Sequence, residues 1–262
     1  MLRENALKKR LQLGETVFGL FCSIPHPTLV EMIAAAAYDF VIIDTEHVLI
    51  NPETLEHMLR AADASGITAL VRVPDAAPNT ILRVLDAGAH GVVIPHVRTG
   101  AEAEAAVRAS RYHPRGMRSL NGGRPADFAK VDLPSYLDYA NEQIMVVPMI
   151  ENREGVENIA EISAVPGIDM ILEGAADLSQ SYGVPWQTRS DIVQNALAQV
   201  AEITQKRGVP YCAIPRAAED LVTWQGRGVR AFVLGEERGT AFRALRAHLH
   251  TFRTQVAQEE TT

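Results

Sequence analysis

Eight short, almost wholly apolar runs recur along the chain, and longer amphipathic stretches separate them. The runs are VFGLFC (17–22), FVIID (40–44), TALVRV (68–73), GVVIP (91–95), IMVVPMI (144–150), DMILEG (169–174), VPYCAI (209–214) and AFVLG (231–235). Apolar runs of this length suit strands buried on both faces, as in parallel sheets. The segments between them carry helix signals. PETLEHMLRAADASG (52–66) follows Asn51, a good N-cap, has Pro52 at its first helical position and ends at Gly66. PNTILRVLDAG (78–88) repeats the proline-to-glycine pattern, and 27–37, 101–111, 153–164, 189–208, 216–228 and 240–256 complete the helical set. Eight strand–helix alternations in 262 residues predict an α/β chain, a (β/α)8 TIM barrel forming one domain over 1–262. A doubly wound sheet is the alternative, but the first turn, GLFCSIPHP, lacks the Gly-rich phosphate-binding pattern of that fold.

Composition narrows the function. Twenty-five Lys and Arg against 32 Asp and Glu leave a formal charge of −7, which argues against a nucleic-acid partner. An acidic small molecule remains possible, since a few arginines can reverse the field inside a cleft. No stretch reaches the ~18 apolar residues of a membrane span, and the N-terminal MLRENALKKRLQLGE lacks a signal-peptide core. Cys22 and Cys212 lie far apart in apolar runs, so both are expected to be unpaired, in a reducing cytoplasm. One connection, 112–143, is long; its Gly122-Gly123 pair and its arginines suggest a mobile, anion-facing lid over about 112–130.

A barrel of this kind places its chemistry at the C-terminal ends of the strands. The polar residues there are Asp44, Glu46 and His47 after the second run, Arg72 in the third, His96 after the fourth, Glu151 after the fifth, Glu173, Gly174 and Asp177 after the sixth, and Glu236 and Glu237 after the eighth. Glu151 and Asp177 offer oxygen donors alone, which suits Mg²⁺ or Mn²⁺ with positions left for water and substrate. Two solvated or salt-bridged acids are the bland alternative. His47 has the chemistry of a general base, with Asp44 three residues earlier available to fix its tautomer; an ordinary loop histidine is the alternative. Arg72, inside a strand otherwise buried, must face an anion or pair with Asp44 or Glu46, and the two roles are compatible. Base, oxyanion stabiliser and metal ligands together suit making or breaking a C–C bond beside a carbonyl. No lysine falls at a strand end, which argues against a Schiff-base mechanism. His96 reads as a packed or surface histidine at the pocket edge, and Glu236 and Glu237 as solvent-facing or helix-capping.

FVIIDTEH, VRVP, RYHPRGMR, the IEN of PMIEN, and EGAADLS resemble the HpcH/HpaI class II aldolases, relatives of the citrate lyase β-subunit. The resemblance runs from about residue 5 to 250. It implies a (β/α)8 barrel, often with the last helix exchanged between subunits, and a homo-oligomer, commonly a hexamer built from dimers. It implies Glu151 and Asp177 as metal ligands, Arg72 on the enolate oxygen, and His47 with Asp44 behind it as the acid–base residue. Backbone amides of Gly174, Ala175 and Ala176 would hold a substrate carboxylate, and Arg118 would meet a distal one. The substrates would be a small 2-oxo acid of the pyruvate or oxaloacetate class and an aldehyde.

Three positions depart from the family's pyruvate aldolases. Ala175 stands where they have proline, Thr45 where they often have glycine, and Met149 where a glutamine amide helps hold pyruvate. The metal and base set is kept while the oxo-acid contacts change. EGAADLSQS and CAIPR are similar to a branch that makes citrate for siderophores, condensing oxaloacetate with acetyl-CoA. A non-catalytic metabolite-binding barrel is the reading outside the enzyme class, and the intact Asp44, His47, Arg72, Glu151 and Asp177 set argues against it.

Overall fold

The computed structural model describes residues 2–259. In chain order the elements are α1 (Ala6–Gln12), β1 (Val17–Cys22), α2 (Pro27–Ala35), β2 (Phe40–Asp44), α3 (Pro52–Ser65), β3 (Thr68–Arg72), α4 (Pro78–Ala87), β4 (Gly91–Ile94) and α5 (Gly100–Ser110). They continue with α6 (Leu133–Gln143), β5 (Met145–Ile150), α7 (Arg153–Glu157), α8 (Ile159–Ile162), β6 (Ile171–Glu173), α9 (Ala175–Ser181), α10 (Asp191–Lys206), β7 (Tyr211–Ala213), α11 (Ala218–Gly226), β8 (Ala231–Glu236) and α12 (Glu237–Glu259). A short 3₁₀ segment, Arg124–Ala129, precedes α6. The eight strands form a closed barrel in sequence order, every neighbouring pair parallel.

All eight apolar runs hold strands, because their rows are covered on both faces except at the mouth end of β8, where Leu234 is exposed. One buried cluster, including Phe40, Ile42, Leu70, Val93, Val147, Leu172 and Val233, fills the barrel interior. A second, including Val41, Ile43, Val71, Val92 and Ile171, lies between strands and helices. The cap signals of α3 act as expected: the Asn51 side chain accepts from the Glu53 N–H at 2.9 Å, and Gly66 closes the helix at φ 74°. The stretch 153–164 divides at Asn158, whose side chain donates to the Arg98 carbonyl at 2.9 Å, giving α7 and α8 instead of one helix. At the N-terminal end of the strands, Leu7 of α1 joins the interior cluster and the Asn5 side chain donates to the carbonyls of His90 and Gln143. This end is a closed floor, and the opposite end is the mouth.

The segment read from sequence as a lid lies at the floor. It links α5 to α6, so it leaves a helix and leads toward the start of a strand. Its contacts agree: the Leu2 N–H donates to the Pro125 carbonyl at 2.9 Å, and Arg124 pairs with Asp63 near the end of α3. Arg118 is buried there, its Nη2 2.8 Å from Asp86 Oδ1 in the last turn of α4 and its guanidinium 4.6 Å from the Tyr112 ring centre. Within its own chain, therefore, Arg118 does not reach the mouth. The last helix, α12, touches little more than β8 and β1. Phe242, Leu245, Leu249, Phe252 and Val256, spaced along one side of it, are exposed.

Candidate active site

Alternation along the strands delivers the polar groups to the mouth. In β2 the inward row is Phe40, Ile42, Asp44; in β3 it is Thr68, Leu70, Arg72; in β5 it is Met145, Val147, Met149, and Glu151 follows in step. Each row is apolar at mid-barrel and ends on a charged residue at the mouth. The register of β2 on β3 pairs Asp44 with Arg72.

That pairing becomes a buried ion pair. Arg72 Nε lies 3.0 Å from Asp44 Oδ1 and Nη2 lies 2.7 Å from Oδ2, a two-pronged contact. The third nitrogen, Nη1, lies 3.1 Å from Glu46 Oε2 and 3.9 Å from the Met149 sulfur. The guanidinium also sits 4.7 Å from the Phe21 ring centre. Burial by itself would raise the Asp44 carboxyl. The hydrogen bonds and charge of Arg72 outweigh it and, with the N–H groups of Glu46 and His47, hold Asp44 below the usual carboxylate range.

Asp44 is thus not the residue behind the His47 ring. It meets only the His47 backbone N–H, at 3.4 Å, and its oxygens are taken by Arg72. The carboxylate nearest the His47 imidazole is Glu46, with Nε2 3.8 Å from Oε2. His47 itself is largely exposed at the mouth.

On the opposite wall, Glu151 is 2% exposed. Its Oε1 accepts from the His96 N–H at 2.7 Å and lies 3.3 Å from the His96 Nδ1. The His96 Nε2 lies 3.3 Å from Glu46 Oε1, so this ring stands between two carboxylates. His96 holds φ at 54°, the left-handed region that few side chains adopt, and such strain persists where neighbours enforce it. Burial foremost, with Glu46 and Asp177 nearby, pushes the Glu151 carboxyl up to about 7 against the opposing effect of His96. Gly174 completes the wall: a Cβ at this position would collide with the Glu151 side chain.

Asp177 stands in the first turn of α9, half-buried. The Gly174 N–H is committed to the Ile150 carbonyl at 3.0 Å, so it is not free for a substrate. Ala175 and Ala176 open α9, so their N–H groups have no acceptor within the helix. Glu173 turns outward, fully buried, and accepts from the Tyr211 hydroxyl at 2.6 Å; it takes no part in the site. Glu237 is buried too, accepting from the N–H groups of Ser23 and Ile24, where solvent exposure or capping was expected.

The charge balance of this cluster favours a cation. Asp44, Glu46, Glu151 and Asp177 outnumber the nearby guanidiniums: Arg72 is engaged by Asp44 and Glu46, and Arg238, close enough to Asp44 to interact with it, is paired with Glu236. Among the described residues no three His, Cys, Asp or Glu side chains are arranged to hold a metal ion by themselves. Glu151 and Asp177 offer carboxylate oxygens alone at this wall. This pair fits a hard divalent ion that keeps other positions for water and substrate. Of the residues expected from sequence, Asp44, His47, Arg72, Glu151, Asp177 and the start of α9 come together at the mouth, and Arg118 does not. The Arg72–Glu46 contact was among the pairings expected from sequence; the contacts of His96 with Glu46 and Glu151 were not.

Residues 17–241 match the family model described as HpcH/HpaI aldolase/citrate lyase. A 4-hydroxy-2-oxovalerate aldolase of Novosphingobium aromaticivorans is 36% identical over 213 residues, covering 78% of this chain and 79% of that protein. A hydroxypyruvate/pyruvate aldolase of Delftia acidovorans is 29% identical, covering 99% and 96%. The crystal structure of the citrate synthase SbnG superposes with a TM-score of 0.90 at 48% identity, covering 96% of this chain and 99% of that one. With the barrel closed in the same way and the family model spanning all eight strands, the chain belongs to the HpcH/HpaI aldolase/citrate lyase family.

Proposed function

We propose that this barrel is a divalent-metal-dependent carbon–carbon lyase or synthase acting on a small 2-oxo acid of the pyruvate or oxaloacetate class. The observation that carries the reading is the convergence of Arg72, Glu151 and the first turn of α9 at one mouth of a closed barrel. Glu151 and Asp177 would hold Mg²⁺ or Mn²⁺. When bound, the ion supplies Lewis acidity at the oxo-acid carbonyl. Arg72, held rigidly by Asp44, offers positive charge to the oxygen that becomes negative when a proton leaves the adjacent carbon. The N–H groups of Ala175 and Ala176 bind the carboxylate of the oxo acid. His47, exposed at the mouth, moves the proton between that carbon and solvent. Because Arg72 is paired with Asp44 and Glu46, Arg238 with Glu236, and Arg118 lies at the floor, an anionic substrate depends largely on the ion for its attraction.

A second reading has its own support. In place of an aldehyde, the partner is acetyl-CoA, and the product of its condensation with oxaloacetate is citrate for a siderophore. The 48% identity to SbnG over nearly the full chain favours it. So does Met149, which sets a thioether beside Arg72 where an amide would grip pyruvate. The exposed apolar stripe on α12 supports a homo-oligomer in which that helix packs on another copy, with dimers as the unit and a hexamer as the full assembly. Cys22 and Cys212, both free and buried, support a cytoplasmic setting, and among the described residues no helix is long and apolar enough to cross a membrane.

One assay separates the chemistries. The protein, with Mg²⁺ or Mn²⁺, is given oxaloacetate plus acetyl-CoA, or pyruvate plus succinic semialdehyde. The expected result is product from one pair, abolished by EDTA and restored by metal. Full activity after EDTA would overturn the metal role, and unchanged turnover in His47→Ala would overturn the proton-transfer role of His47.

A further inference from the structure

Glu46 lies beside three basic side chains at the mouth and has no part in the scheme above. Its carboxylate lies 3.1 Å from Arg72 Nη1, 3.3 Å from His96 Nε2 and 3.8 Å from His47 Nε2. The two oxygens divide these neighbours: Oε1 faces His96, and Oε2 faces Arg72 and His47. The side chain is largely buried, although it is two residues beyond the end of β2. Oε2 is sealed from solvent with no well-aligned hydrogen bond in the structure. A buried carboxylate oxygen without a full partner is disfavoured, so the position has to be held by its cationic surroundings.

We propose that Glu46 is the positioning residue of this site: one carboxylate that fixes the third nitrogen of Arg72 and the rings of His47 and His96 around the oxo acid. The role differs from that of Asp44, which orients only the guanidinium. It also differs from that of Glu151 and Asp177, since Glu46 faces Arg72 and lies within 4 Å of three basic side chains. Through His96 the same carboxylate bears on Glu151, whose Oε1 is held by the His96 backbone. The chain DTEH therefore encodes three successive tasks. Asp44 holds Arg72, Glu46 holds the rings, and His47 handles the proton.

The inference rests on the oxo-acid reading for its kinetic part and on geometry alone for its structural part, so the test has two arms. Full-length wild type, Glu46→Gln and Glu46→Asp are compared, with thermal unfolding as the check on folding. In the metal-free proteins, ring-nitrogen NMR follows His47 and His96, assigned with His47→Gln and His96→Gln. The expected result is that both rings shift in Glu46→Gln and shift less in Glu46→Asp, which keeps the charge. Binding of Mn²⁺ alone, followed by electron paramagnetic resonance, is expected to weaken less than tenfold in Glu46→Gln. Metal-dependent exchange of oxaloacetate methylene protons with D₂O is expected to fall at least thirtyfold in kcat, with a smaller change in KM. Unmoved rings would overturn the proposal, as would exchange at the wild-type rate. A hundredfold loss of Mn²⁺ affinity with unmoved rings would assign Glu46 to the ion instead. If wild type shows no exchange, the oxo-acid reading fails, and the ring signals still decide the role of Glu46.

Discussion

Replacing Asp44 by Asn tests whether this carboxylate serves Arg72 or His47. The substitution keeps the shape and one acceptor but removes the charge facing two guanidinium nitrogens, at 3.0 and 2.7 Å. Breaking a buried pair by removing one partner costs about 3–5 kcal/mol. Here Glu46 remains 3.1 Å from Nη1 as a second counter-charge, so a loss of about 2–3 kcal/mol is expected. For a chain of this size, that corresponds to a fall in Tm of roughly 5–10 °C. The sharper reading is a pair of double-mutant cycles followed by urea unfolding. Asp44→Asn with Arg72→Met should show a coupling of about 2 kcal/mol, the worth of the lost charge-assisted bonds. Asp44→Asn with His47→Gln should show less than about 0.5 kcal/mol, because Asp44 meets the His47 backbone and not its ring. A larger coupling to His47 than to Arg72 would refute the assignment.

Two further outcomes follow from Glu151. Burial raises its carboxyl above the unfolded value, so its contribution to stability is full below about pH 4 and is lost as pH rises through about 7. The metal-free protein should lose up to about 3 kcal/mol across that window. Saturating Mg²⁺ should reverse the loss, and Glu151→Gln should lack the slope; parallel pH profiles for wild type and this variant would contradict the account. Gly174→Ala forces a methyl onto the Glu151 side chain, so Mn²⁺ affinity should fall at least tenfold; an unchanged affinity by calorimetry would show that the wall can yield.

The strands were legible because nearly all of their length is covered on both faces, so their runs are apolar except near the ends. The site was legible for a related reason. A residue such as Arg72 or Asp44 at the end of an inward row has nowhere to go except the mouth. What stayed hidden has other causes. Helix α6 is rich in polar residues and lies inside a connection that read as one long loop, and the seven-residue α9 begins directly on the DMILEG run, so no gap announced it. The 112–130 segment was misplaced because length and arginine content say nothing about which end of a barrel a loop serves. Its position between a helix and the next strand does, since such links lie at the strands' N-terminal end. Glu46 was visible as a strand-end acid and as a partner for Arg72, but its contact with His96 joins segments fifty residues apart, and no local pattern encodes it.

The central claim is that the metal and Arg72 together let an oxo acid lose the proton beside its carbonyl. Proton NMR of pyruvate and of oxaloacetate in D₂O measures that step without the second substrate. The expected result is exchange by wild type with Mg²⁺ or Mn²⁺, none above background after EDTA, and at least a hundredfold slower exchange in Arg72→Met. Exchange that persists at the wild-type rate without metal, or without Arg72, would contradict the account.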